Sequence, residues 1–359
     1  MPPLVSICVP AYNAAPYLRQ CLDSALAQTF RNFELVLVDN ASTDDTFAIA
    51  AEYARRDSRF RLYRNGGNLG PKANFNRCID LAQGEWVKFL CADDWLEPIC
   101  LAQMLAARRP EVLLVVCSER LVFCEKMPET ERQKHLEYWA DHTLLSRRFP
   151  GQSFIPAADF ASLVAEDPTF NCIGTPNAVL MHRDAFTRFG RMNPNLVHHD
   201  DWELYARVAV HTGLCYVAEP LANYRQHYDS LGTYLVHEHR FAIEVISALI
   251  IRYEVAYASV YEPVRNAAIA HNPPINLRHQ LVDFVRQAGL QAHEFAFDSS
   301  RPDSCALADW QKVIELYPGL LATPAGYYLE KSWSRVKNGL RRLTTAARSR
   351  FKNIPIVAR

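Results

Sequence analysis

Short apolar runs alternating with segments of helical period constrain this chain more than any other feature. Leu4 to Val9 and Phe33 to Val38 are continuous apolar runs, and Pro16 to Gln28 between them repeats its apolar residues at helical spacing. Strand, helix, strand at this length implies a parallel βαβ unit, since parallel neighbours are joined only through a crossover. The alternation predicts a helix over Thr43 to Arg55, a strand over Phe60 to Tyr63, a helix over Pro71 to Ala82 and a buried strand over Trp86 to Cys91. A helix over Glu97 to Ala107 and a strand over Val112 to Val116 come next. Such a series predicts a doubly wound α/β domain with a mostly parallel sheet and flanking helices. Ligands of these sheets gather at the carboxyl ends of the strands, which directs attention to the residues just after Val9, Val38, Tyr63 and Leu90.

Downstream, Phe123 to Pro150 is highly polar and reads as a surface helix or excursion. Ala178 to Met181 is expected as a strand, Asp201 to His211 as a helix opened by acidic residues, and Ala222 to Arg225 as a short extended piece. Helical patterns dominate thereafter, over Val236 to Tyr253, roughly Pro274 to Gln291, and Asp309 to Leu316. The expected division is therefore an α/β domain over 1–234 and a helical appendage over 235–359. Its last stretch, 331–359, holds nine Lys/Arg and no acid, so the zero net charge of the 359 residues leaves minus nine on the rest. The ten cysteines form no CxxC pair and no zinc spacing, and several lie in apolar runs. They read as reduced thiols of a cytoplasmic protein. No basic, then apolar, leader opens the sequence and no window is long and apolar enough to span a bilayer, so neither secretion nor membrane insertion is expected.

Three constellations sit at the predicted strand ends. Pro10-Ala11-Tyr12-Asn13 follows the first strand and Asp39-Asn40-Ala41-Ser42-Thr43-Asp44 the second. An aromatic face there can stack a base while a carboxylate accepts its ring N–H, although Asn13 and Asp39 also suit turns, with Ser42 or Thr43 as a helix cap. Asp93 and Asp94 end the buried strand at Trp86 to Cys91, and adjacent carboxylates there either cap a helix or hold a hard cation such as Mg²⁺ or Mn²⁺. Asp200, Asp201 and Glu203 supply three carboxylates in one helical turn. Helical spacing places Asp200 and Glu203 on one face and Asp201 elsewhere, and does not choose a base among them.

The order of these blocks resembles the inverting family 2 glycosyltransferases with the GT-A fold. The likeness is carried by Val5 to Asn13, Leu35 to Asp44, Asn68-Leu69-Gly70 through Asn76, and Ala82 to Leu90 leading to Asp93 and Asp94. Tyr224-Arg225-Gln226-His227 is similar to the family's Tyr-Arg-x-His element, and the whole likeness runs over roughly residues 4 to 232. The resemblance implies sugar transfer from a nucleoside diphosphate donor, a UDP-sugar by preference, to an acceptor hydroxyl on a glycan, lipid-linked or protein acceptor in surface polysaccharide or glycoconjugate synthesis. It implies Pro10, Ala11, Tyr12 and Asn13 around the base, Asp39 accepting from a uracil-like ring, and Asn68, Lys72, Asp94 and Arg225 on the donor. Asp93, Asp94 and His227 would be metal ligands for Mn²⁺ or Mg²⁺, and Asp201 would be the catalytic base, with Asp200 at the neighbouring acidic position. Two departures stand out: Cys91 replaces the first Asp of the family's metal signature, and Asn40-Ala41-Ser42 replaces Asp-Gly-Ser. The first motivates an alternative, a sugar-nucleotide-binding or assembly protein that keeps the fold without turnover. The basic tail, with Trp333 and Leu340 among its cations, suits either an anionic membrane surface or packing on the acidic body; nucleic acid is not an expected partner.

Overall fold

In a computed structural model, which describes residues 2–125, 127–142, 145–228, 230, 241–298 and 303–322, the chain forms two compact units, 1–230 with 258–275, and 231–257 with 276–359. Residues 258–275 group with the first unit, on the far side of the expected cut after residue 234. The predicted basic tail at 331–359 lies outside the described residues.

The first unit opens with β1 (Val5–Ala11), α1 (Ala15–Leu26), β2 (Phe33–Asp39), α2 (Thr46–Arg56), β3 (Phe60–Arg64), α3 (Pro71–Leu81) and β4 (Trp86–Phe89). It continues through β5 (Trp95–Leu96), α4 (Cys100–Ala106), β6 (Leu114–Phe123), α5 (Glu129–His142), α6 (Leu145–Arg148), β7 (Phe154–Ile155) and α7 (Ala157–Glu166). β8 (Val179–His182), α8 (Arg183–Phe189), α9 (Asp200–Thr212) and β9 (Leu214–Gln226) complete the sheet, whose order is β3-β2-β1-β4-β8-β6-β9-β5 with β7 on β9.

The expected parallel arrangement holds across β3-β2-β1-β4. Beyond β4 the sheet is mixed: β8 runs antiparallel to β4 and β6, β6 and β9 run parallel, and β5 and β7 pair antiparallel with β9. All seven residues of β2 are buried, as a strand covered on both faces requires, which is why its sequence is a run of Val and Leu with no alternation. β6 and β9 are longer than Val112 to Val116 and Ala222 to Arg225 suggested, because Ser118, Glu119 and Arg120 in one and Glu219 and Pro220 in the other break the apolar pattern while the backbone ladder continues past them. The polar stretch after Phe123 is helical, as α5 and α6.

β1 and β4 approach closely at Gly84. A Cβ there would lie 2.5 Å from the Ser6 nitrogen and 2.6 Å from the Val5 carbonyl carbon, both fixed backbone. Ser6 Oγ receives the Gly84 N–H at 2.8 Å and donates to the buried Glu34 carboxylate, itself paired with Arg61 at 2.7 Å. Gly84→Ala is therefore expected to destabilise the protein by ~1–3 kcal/mol, as overpacking against an unyielding neighbour does; urea unfolding midpoints measure it, and an unchanged midpoint would contradict the packing argument.

Residues 258–275 carry α11 (Glu262–Ala270, the helix after the turn Ser259–Tyr261), which packs on α7 and α9. Tyr261, 1% exposed, donates its hydroxyl to Glu203 at 2.6 Å. The second unit holds α10 (Ser247–Tyr257, entered through a π turn Ala242–Ile246), α12 (Leu277–Phe297), α13 (Ala306–Leu316) and α14 (Gly319–Ala322). Its helical character matches expectation, with Trp310 at 0% exposure among Phe241 and Phe295. The part of the predicted helix at 236–240 lies outside the described residues. Among the described residues no helix is long and apolar enough to cross a membrane, and all ten cysteines are free thiols.

Candidate active site

The strand order β2-β1-β4 brings the ends of three predicted strands to one edge, and the residues just beyond them form the site. Asp39, the last residue of β2 and 0% exposed, is paired with the Arg64 guanidinium at 3.0 Å and accepts the Ser42 N–H at 3.2 Å. Beside it, past Pro10 and Ala11 at the end of β1, Tyr12 leaves 47% of its surface open, an aromatic face available for stacking. Asn13 does something different: with φ +48° it clasps the next loop, receiving the Thr43 N–H at 2.9 Å while its own N–H goes to Ser42 Oγ at 2.9 Å. Neither Ser42 nor Thr43 caps α2; Asp44 receives the Thr46 N–H instead, at 3.0 Å.

Asn40, where the family usually has Asp, is a hub. Its Nδ2 donates to Asn68 Oδ1 at 2.8 Å and its Oδ1 accepts from Asn65 at 2.7 Å and from the Leu69 N–H at 2.9 Å. A carboxylate could not make the first of these bonds. Asn68 is thereby committed to shaping its own loop, and Ala41 takes the left-handed φ of +61° that Gly would fill in the family pattern. Lys72, at the start of α3, reaches the Val197 carbonyl at 3.4 Å, and its charge counteracts the burial that raises the Asp200 carboxyl.

After β4 the chain turns through Cys91, Asp93 and Asp94, whose ligand atoms lie within 4.8 Å of one another. Asp94 is 1% exposed, accepting the Arg225 N–H at 2.6 Å and the Asn177 amide at 2.7 Å. Burial and the neighbouring Asp93 push its carboxyl well above the usual range. Arg225 also donates to the Asp93 carbonyl at 2.9 Å and to Gln20 at 2.5 Å, with its guanidinium over the Tyr17 and Trp95 rings. His227 Nε2 stands 3.1 Å from Asp93 Oδ2. The predicted set Asp93, Asp94, Arg225 and His227 is thus one contact cluster, although β5 and β9 bring its halves from opposite ends of the domain sequence.

A divalent cation is what the fold family implies here, and the donor chemistry fits one. Two crowded carboxylates are relieved by a cation between them. Burial, then Asp94 and Asp93, holds the Cys91 thiol in its neutral form, which leaves the hard oxygen donors to select the ion.

Asp201, in the first turn of α9, is half-buried; burial first, then Asp200, raises its carboxyl to about 7. Its charge is felt at Cys91 and Tyr205, which ties it to the acidic pocket. Glu203 faces the other way, paired with Arg207 at 2.9 Å and Tyr261, which leaves Asp200 and Asp201 as the carboxylates turned toward the pocket.

Two further residues belong to the same pocket, of which sequence reasoning passes over Glu119. Glu119 on β6 influences Asp94, Cys91 and Asp201, and burial raises its own carboxyl against the bonds from Thr175. Asn177, 0% exposed, donates to Asp94 and accepts the Cys91 N–H at 2.8 Å. Nothing local singles out Glu119, which lies within a strand.

The mixed sheet, its flanking helices and the acids gathered at its strand ends define a GT-A domain. Residues 6–167 match Glycosyl transferase family 2, and this part of the chain is a domain of that family. It is 31% identical over 224 residues to the Mycobacterium tuberculosis protein MT1568, which is uncharacterized, covering 61% of this chain and 66% of that one. It is 43% identical over 105 residues to a PGL/p-HBAD biosynthesis glycosyltransferase of Mycobacterium bovis, covering 29% of this chain and 41% of that one. The chain spans between 33% and 66% of the length of the first curated relatives it matches. Among solved structures, S. aureus TarS 1–349 in complex with UDP-GlcNAc superposes with TM-score 0.53 at 15% identity, covering 94% of this chain and 91% of that one. The mannosyltransferase PcManGT of Pyrobaculum calidifontis, in complex with GDP-Man and Mn²⁺, gives 0.52 at 18%, covering 93% and 87%. At such identities these two speak to the fold.

Proposed function

We propose that the protein is a metal-dependent inverting glycosyltransferase that moves a sugar from a nucleoside diphosphate donor, a UDP-sugar, to an acceptor hydroxyl in surface polysaccharide or glycoconjugate synthesis. One observation supports the reading: Asp93 and Asp94 lie together beyond β4, both they and Asp201 act on Cys91, and Asp39 and the open Tyr12 ring stand at the same ends of the neighbouring strands.

In this reading Tyr12 stacks the base and Asp39 accepts its ring N–H, while Arg225 faces the diphosphate. Asp93 and Asp94, with His227 behind Asp93, hold Mn²⁺ or Mg²⁺, which when bound neutralises charge on the leaving diphosphate. Asp201 takes the proton from the acceptor hydroxyl as that oxygen bonds to the anomeric carbon. The bond from that carbon to the phosphate oxygen breaks, its electron pair leaves with the nucleoside diphosphate, and attack opposite the leaving group inverts the configuration.

Calorimetric titration with UDP, GDP and dTDP, each with and without Mn²⁺, tests the donor site. Tight binding of UDP that needs Mn²⁺ is expected; tight binding of GDP alone would move the donor to GDP-sugars, and binding of none would remove the site. Cys91 supports the second reading, loss of turnover on a retained fold. Turnover gained in Cys91→Asp by a protein otherwise inactive would favour it.

A further inference from the structure

β6 and β9 run in register to Cys117, then slip on either side of Ser118. Such irregularities re-aim a side chain. The next residue, Glu119, meets the segment ahead of β8: the Thr175 N–H donates to Glu119 Oε2 at 2.8 Å and the Thr175 hydroxyl donates to Oε1. Space for the carboxylate exists because residue 174 is Gly, with φ +108°; a Cβ there would overlap Glu119 Oε2.

From Glu119 inward, the direction of every hydrogen bond is fixed. The Thr175 hydroxyl hydrogen goes to Glu119 Oε1, and its oxygen is left to accept. It accepts from Asn177 Nδ2 at 2.8 Å and from the Asn177 N–H at 3.2 Å. Nδ2 sends its second hydrogen to Asp94 Oδ2 at 2.7 Å, and Oδ1 accepts the Cys91 N–H at 2.8 Å. That backbone N–H can only donate, so it demands the same amide orientation from the opposite end. Buried Lys88 donates to the Asn177 carbonyl and closes the arrangement from below.

We propose that Glu119, Thr175 and Asn177 are positioning residues, a polarised hydrogen-bond chain that holds the Asp94 carboxylate in the orientation in which it engages a nucleoside diphosphate with its divalent cation. The inference rests on the donor site proposed above. Reversing the chain at its origin rotates the Thr175 hydroxyl, and the Asn177 amide then loses its acceptor on one side. Chain polarity therefore matters to ligand binding while the packing around it stays the same.

The test is titration of the full chain with UDP and GDP in the presence of Mn²⁺, for the wild type, Glu119→Gln, Thr175→Val, Thr175→Ser and the Glu119→Gln/Thr175→Val double variant, alongside thermal unfolding of each without ligand. Glu119→Gln and Thr175→Val are each expected to weaken binding about tenfold or more, the range for residues that orient metal-site ligands. Their unliganded melting temperatures should stay within ~2 °C of the wild type, a small fraction of total stability. Thr175→Ser keeps the hydroxyl and should bind as the wild type does. The double variant should be no weaker than either single one, since both break one chain.

Wild-type binding by both Glu119→Gln and Thr175→Val overturns the positioning chain and leaves the donor site standing. Failure of the wild type to bind either nucleoside diphosphate overturns the donor site and the chain with it. Should Glu119→Gln not fold, the Thr175 pair decides: equal losses in Val and Ser refute the chain, and loss in Val alone supports it.

Discussion

Asp201→Asn is expected to lower sugar transfer about 10²–10⁴-fold, the usual worth of a positioned general base, while nucleoside diphosphate binding with Mn²⁺ stays within a factor of ~2, since Asp201 acts on the acceptor and not on the donor. The carboxyl sits at about 7 because burial disfavours its charge and Asp200 adds to that. Below that pH it keeps its proton and cannot take another. The wild-type rate should rise about tenfold per pH unit on the acid side and level off above ~7. The stability sign is opposite. A carboxyl whose folded pKa is raised lends stability in full below its unfolded value near 3.8, and loses it as pH rises through about 7. Asp201→Asn removes the buried charge, so at pH 8 the inactive variant should melt higher than the wild type. Full activity in the variant would dismiss Asp201 as base; a lower melting point at pH 8 would show that burying this charge costs the fold nothing.

Asp93→Ala is the second large effect. Its Oδ2 meets His227 at 3.1 Å, and without it Asp94 is the one carboxylate of the turn after β4 left to hold the cation. The expected result is a loss of Mn²⁺-dependent nucleoside diphosphate binding of about 10²-fold or more, in keeping with the several kcal/mol a metal contributes to charge neutralisation. Adding EDTA to the wild type should reproduce the loss, and the variant should not respond to EDTA at all. Calorimetry of the four combinations measures this directly. A variant that keeps a full response to EDTA would place the cation elsewhere.

Much of the first unit was legible because its strands are buried on both faces. β1, β2 and β4 are short apolar runs between helical segments, and their ends carry Asp39, Asp93 and Asp94 where a doubly wound sheet puts its ligands. What local pattern does not encode is where the ladder continues without apolar residues. β9 runs through Glu219 and Pro220, and β6 through Ser118 and Glu119, where the two strands stay paired through polar residues. Glu119 escapes notice for the same reason: it gains its role from a partner 56 residues away, which spacing cannot reveal. Asn68 and Asn13 also bond within their loops, as polar residues at strand ends serve loop structure as readily as ligands.

The return of residues 258–275 to the first unit bears on how the chain is made. The α/β unit is complete in sheet and site by residue 230, yet the faces of α7 and α9 that α11 covers, and the buried carboxylate of Glu203 that Tyr261 satisfies, wait for a segment that comes after an excursion into the other unit. During synthesis from the N-terminus, about forty residues must therefore emerge beyond the last strand before that unit can close, a long-range contact of the kind that slows folding and prolongs exposure of apolar surface. The last helix of the α/β unit acts in this sense as a latch set late in translation.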